Sequence, residues 1–144
     1  MAQALFQKIK NELAEELSYQ SASAGISAVE GDLPTRETVL CLSKFGIDVS
    51  THRARKIDHK MIKDSSLILT MTRKQQEYLK KNYPQAEDKI FLLRPFCHQN
   101  SIIKNSEVED PYGRDLYFYE DIYHQISDDI EKLILYLRKV DQDE

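Results

Sequence analysis

Leu67-Ile68-Leu69-Thr70-Met71 is an apolar run with no alternation. A strand with one wet face alternates apolar and polar residues. A strand covered on both faces does not, and helices cover both faces of a parallel sheet. Ile90-Phe91-Leu92-Leu93 repeats the pattern. Between the two runs, Thr72-Arg73-Lys74-Gln75 is a capping box that opens a helix. That helix is predicted to stop at Tyr83, because Pro84 disfavours helical backbone in the residue before it. Strand, helix, strand in this order is the repeating unit of an α/β fold.

The remaining segments extend this unit. Leu5, Ile9, Leu13 and Leu17, with Ala2 and Phe6 beside them, predict a helix over residues 1–17. No Ser, Thr, Asp or Asn precedes it, so its first amides have no side-chain cap. Tyr19–Ser27 is predicted as a weak strand entering a turn, and Glu30–Pro34 as loop. Thr35–Phe45 is predicted as a helix with Val39, Leu42 and Phe45 on one face and Gly46 as its C-terminal cap. Ile47–Arg55 is irregular, and a short helix over Asp58–Asp64 turns Met61 and Ile62 inward. Residues 94–108 read as polar loop. Leu116–Arg138 carries the clearest helical stripe, from Tyr119 through Ile126 to Leu137, with Asp141–Glu144 expected to fray. The expectation is one domain over residues 1–144: a three-layer αβα arrangement around a parallel sheet of three strands. The order begins with a helix where such folds have a strand and a phosphate-binding turn.

Charge narrows the partners. Twenty basic residues against 24 acidic give a net charge of −4. That balance suggests neither a nucleic-acid nor an anionic-membrane partner. No apolar run approaches the ~20 residues of a membrane span, and Met1-Ala2-Gln3 leads straight into amphipathic sequence rather than a secretory signal. Cys41 and Cys97 are too few for a disulfide framework, which points to a reducing cytoplasm. His59, His98 and His124 show no metal-ligand spacing, and no cofactor is expected.

Glu109-Asp110-Pro111-Tyr112-Gly113 carries the chemistry. Pro111 fixes its own φ and pushes Asp110 towards extended backbone, and Gly113 permits a tight turn. A carboxylate on so stiff a loop suits general acid work, with Tyr112 as the wall of a pocket. The same five residues also read as a plain turn that starts a helix.

Taken together, several segments resemble the low-molecular-weight protein tyrosine phosphatase family. They are Met1-Ala2-Gln3-Ala4-Leu5-Phe6, Ser23-Ala24-Gly25, Gly46-Ile47-Asp48 with His52-Arg53-Ala54-Arg55, Leu67–Thr72, and Asp110-Pro111-Tyr112-Gly113. The resemblance runs along essentially the whole chain. It implies a parallel sheet flanked by helices, and hydrolysis of phosphotyrosine on protein substrates through a cysteinyl-phosphate. Some bacterial relatives act on phosphoarginine instead. Asp110 then matches the general acid, and Tyr112 the aromatic lining the substrate cleft. Gly113 stands where many relatives carry a second tyrosine, as in bacterial members. Ser23 and His52 match residues that brace the phosphate loop; a turn serine and a solvent-facing histidine are the alternative readings. An arsenate reductase on the same fold would need a cysteine pair after Met71, and residues 72–83 contain none.

The family's nucleophile loop is Cys, five residues, Arg, Ser-Pro, placed before the first helix. This chain departs from it. Counting past Cys41 in the same way reaches Ile47, and past Cys97 reaches Ile103. The thiolate must attack phosphorus with a lowered pKa, and the arginine must grip phosphate oxygens in bidentate fashion. Cys41, between Leu40 and Leu42, is expected in the core, and Cys97 as an ordinary loop thiol. The chain is therefore expected to be inactive as it stands. Two accounts are open. Met1 is an internal methionine of a longer enzyme, or the chain is a binding-only pseudophosphatase. Either way a central strand is expected to be missing, which predicts a split or rearranged sheet and marginal stability.

Overall fold

The computed structural model describes residues 1–144. Its helices are α1 (Ala2–Leu13), α2 (Arg36–Lys44), α3 (His59–Asp64), α4 (Arg73–Asn82), α5 (Leu93–Cys97) and α6 (Leu116–Asp143). The strands are β1 (Ile68–Thr70) and β2 (Ile90–Leu92), and a 3-10 turn over Pro84–Lys89 leads into β2. The two strands pair in parallel, Ile68 beside Ile90, Leu69 beside Phe91 and Thr70 beside Leu92.

The unbroken apolar run is explained by what lies on each side of β1. Leu67, Leu69 and Met71 pack against the main core, built from α1, α2 and α6 around Leu5, Leu42 and Ile134. Ile68 packs the other way, against Ile62, Leu79, Tyr83, Ala86 and Ile90. Both faces are covered, so the run is apolar except at Thr70, whose buried hydroxyl donates to the Thr72 carbonyl at 3.3 Å. The α6 stripe from Tyr119 to Leu137 is buried as its period requires. Thr72 caps α4 through Gln75 in both directions of the capping box. Thr35 caps α2 by accepting from the Thr38 amide, and Gly46 follows that helix at φ +77°, where a side chain would be strained.

Four expectations need correction. Residues 19–27 form no strand in the sheet; a single parallel bridge joins Gly25 to Lys56. Ser, Ala and Gly there offer little side chain to pack on a pleated surface. The observed sheet therefore has two strands rather than three. Helix α1 ends at Leu13, and Leu17 reaches the core by way of a turn; extending the helix would set Glu15 and Glu16 at the negative end of its dipole. Residues 94–97 are helical, not loop, and Leu93 opens that helix rather than closing β2. Pro95 reads as a breaker, yet in a first turn its missing N–H is no loss. Finally, α6 runs on to Asp143 with no Gly or Pro to stop it.

Candidate functional site

Three segments meet at the start of α1. Met1 supplies no side-chain acceptor to the first-turn amides. The Ser23 hydroxyl donates to Gln3 Oε1 at 2.5 Å, and the Ser21 hydroxyl donates to the Gln3 carbonyl at 3.2 Å. Arg55 Nε donates to the Ser23 carbonyl at 3.1 Å, while the Gly25 amide donates to the Arg55 carbonyl at 3.0 Å. These bonds fix the serine segment between α1 and the strip containing His52. Met1, Gln3, Ser23, Asp32, Pro34 and His52 are among the residues lining a cleft of about 240 Å³ there. A second cleft of about 240 Å³ adjoins it, sharing Gln3, Ala4, Val49 and His52.

Electrostatics favour a neutral His52. Desolvation pulls its pKa below the usual histidine value, and the Met1 ammonium, Arg55 and Arg53 add to that effect. Asp48 next to it is held below the usual carboxylate range by the Ser50 hydroxyl and amide.

Asp110 and Tyr112 sit on a separate loop that is firmly anchored. The Val108 amide donates to the Met71 carbonyl at 2.9 Å, just past the end of β1, and Val108 is buried. Glu107 Oε1 accepts from the Arg73 amide at 2.7 Å, and Arg94 Nη1 donates to the Asn105 carbonyl at 2.7 Å. Asp110 Oδ1 accepts from the Tyr112 amide at 3.0 Å, which closes an Asx turn. Gly113 completes the turn at φ +77°. Tyr112 is 76% exposed. Asp110 is exposed as well, and neither residue lines the cleft.

Ser23 and His52 therefore share a cleft, while Asp110 and Tyr112 stand outside it. Helix α6, which follows that loop, reaches the cleft wall. Tyr119, in the first turns of α6, places its hydroxyl 3.4 Å from the Thr35 hydroxyl, which in turn lies 2.8 Å from that of Thr38 on the cleft wall.

The thiols are elsewhere. Cys41 is fully buried in α2, and burial, then the Glu120 carboxylate, push its thiol up. Cys97 closes α5 rather than sitting in a loop; burial and the nearby Asp129 push it up to about 12. Both are thiols at neutral pH. Gln3 is the residue that pattern reading missed, because an exposed-looking glutamine near a helix start gives no sign that it will hold a serine twenty positions on. A buried group that links α5 to α6 was also invisible. Asp129 is 0% exposed and meets His98 Nε2 at 2.7 Å. No helix is long and apolar enough to cross a membrane.

Residues 1–143 match the family described as low molecular weight phosphotyrosine protein phosphatase. A low molecular weight protein-tyrosine-phosphatase, Ptp, of Acinetobacter johnsonii is 33% identical over 69% of this chain and 65% of its own length. A protein-arginine-phosphatase of Bacillus subtilis is 27% identical over 96% of this chain and 85% of its own. Among solved structures, a low molecular weight protein tyrosine phosphatase from T. tengcongensis superposes with a TM-score of 0.84 at 32% identity, covering 94% of this chain and 88% of that one.

Proposed function

We propose, because this chain belongs to the low molecular weight phosphotyrosine protein phosphatase family, that it is the scaffold of a phosphoric monoester hydrolase acting on phosphorylated protein, with phosphotyrosine as its substrate class. Asp110 is the general acid in this reading. It protonates the leaving oxygen, and then, as carboxylate, activates the water that releases phosphate. Tyr112, with its ring exposed, is the surface on which the substrate's own ring stacks. Ser23 and His52 brace the phosphate-binding segment at the head of α1.

The observation that carries the reading is the convergence of Ser23 and His52 on the first turn of α1, whose amides have no side-chain cap. Backbone N–H groups at a helix start attract anions. The attacking sulfur is neither Cys41 nor Cys97, since one is sealed in the core and the other is held protonated. Turnover requires a thiolate and an arginine in the Cys-x5-Arg spacing, and no cysteine here has that partner.

A phosphate-binding module without turnover is the alternative reading of this chain. Phosphoarginine is the second substrate class, favoured by the arginine-phosphatase relatives; Gly113 beside Tyr112 leaves the choice open. The test joins a strand and a Cys-x5-Arg-Ser-Pro loop ahead of Met1 and compares phosphotyrosyl with phosphoarginyl peptides. Preference for the tyrosyl peptide supports the first reading. Preference for the arginyl peptide replaces it with the second, and cleavage of neither peptide by a folded fusion refutes both.

A further inference from the structure

The α5–α6 junction holds a group that the proposed chemistry does not use. His98 follows the last residue of α5, and its Nε2 lies 2.7 Å from Asp129 Oδ1 and 3.7 Å from Asp128 Oδ2. One imidazole nitrogen carries at most one proton, yet here it faces two carboxylates. Asp129 is 0% exposed, and its Oδ2 has no hydrogen-bond donor of good geometry. Arg94 Nε stands 3.4 Å from that oxygen and is itself without a hydrogen bond. His98 is buried like Asp129, while Asp128 is half exposed and opens the group to solvent.

We infer that His98 Nε2, Asp128 Oδ2 and Asp129 Oδ1 form a binding site for a divalent transition ion such as zinc, with water in the fourth position. The three donor atoms already lie within 4.8 Å of one another. Tetrahedral ligands at about 2.0 Å from zinc stand about 3.3 Å apart, so His98 and Asp129 need only part slightly. The ion takes the place of the Nε2 proton and serves both carboxylates at once. Arg94 then faces the oxygen that Asp129 leaves uncoordinated, a usual second partner for a ligating carboxylate. Lys132 is the competitor: its Nζ sits 2.6 Å from Asp128 Oδ2. That pair is partly exposed, and such pairs contribute little. The ion staples α5 to α6 and takes no part in phosphate chemistry. The separation of 30 positions from His98 to Asp128 hides the site from any reading of spacing.

Equilibrium dialysis of the 144-residue chain against zinc, and absorption spectra with cobalt in its place, test the site. The expected result is one ion per chain, a tetrahedral cobalt spectrum and a raised melting temperature. Asp128→Asn should weaken binding about tenfold or more without loss of fold, because Asp128 is exposed; His98→Gln should abolish it. No binding at millimolar zinc would overturn the inference. So would binding that Asp128→Asn and His98→Gln leave unchanged, since the ion would then sit on other histidines.

Discussion

The Val108 amide donates to the Met71 carbonyl at 2.9 Å, so the loop bearing Asp110 is fastened to the residue just beyond β1. A buried backbone bond of this kind fixes where the loop starts, and Pro111 and the Asx turn then fix where Asp110 points. The loop is set by the sheet.

Its carboxylate should therefore be replaceable without harm to the fold. In a chain completed with a Cys-x5-Arg loop, Asp110→Asn should lower kcat on an aryl phosphate by about 10²–10⁴-fold. The melting temperature should not change, because Asp110 is exposed. An equal kcat for the two proteins would remove Asp110 from the reaction.

Asp129→Ala should be far more damaging to stability than any change at Asp110. It leaves His98 and Arg94 facing an empty position in a closed part of the structure. Breaking a buried pair in this way costs about 3–5 kcal/mol. Urea unfolding of the two proteins measures it; a loss below about 1 kcal/mol, the range of an exposed pair, would show the group to be solvated.

Thr72→Ala should cost about 1 kcal/mol, the usual loss for a helix cap. The Thr72 hydroxyl accepts from the Gln75 amide at 3.2 Å, and Gln75 returns the bond to the Thr72 amide. Denaturant titration checks the value, and an unchanged midpoint would mean that α4 does not need its cap.

The strands, α2, α4 and the α6 stripe were legible in the sequence because each rests on local pattern. Leu67, Leu69 and Met71 are apolar for one core, and Ile68 for another. The capping box joins residues three apart, and the Tyr83-Pro84 stop joins adjacent ones. What could not be read depends on distant partners. Residues 19–27 looked like a strand, yet their serines bond to Gln3 on α1 instead. Pro95 hid α5. Ser23 and His52 were singled out only through family likeness, since a serine in a turn and an exposed histidine have no signature of their own; the structure places both on one cleft. The His98–Asp129 contact spans 31 positions, and nothing local announces it.

His52 gives a pH dependence with a definite sign. Its folded-state pKa is lowered, by desolvation first and by the Met1 ammonium, Arg55 and Arg53 after it. As pH falls below about 6.5, the unfolded chain takes up this proton before the folded one does. Stability rises with pH wherever the unfolded state binds more protons. The contribution is thus present above about pH 6.5 and lost as pH falls through the lower folded value. Melting temperatures from about pH 7.5 down to about pH 5 should fall more steeply for the natural chain than for His52→Gln. Parallel curves would contradict the shift.

The most direct test is hydrolysis of p-nitrophenyl phosphate by the purified 144-residue chain, with Cys41→Ser and Cys97→Ser beside it. No turnover is expected from any of the three, because Cys41 is sealed in the core and Cys97 stays protonated. Turnover by the natural chain that vanishes in either serine variant would contradict it.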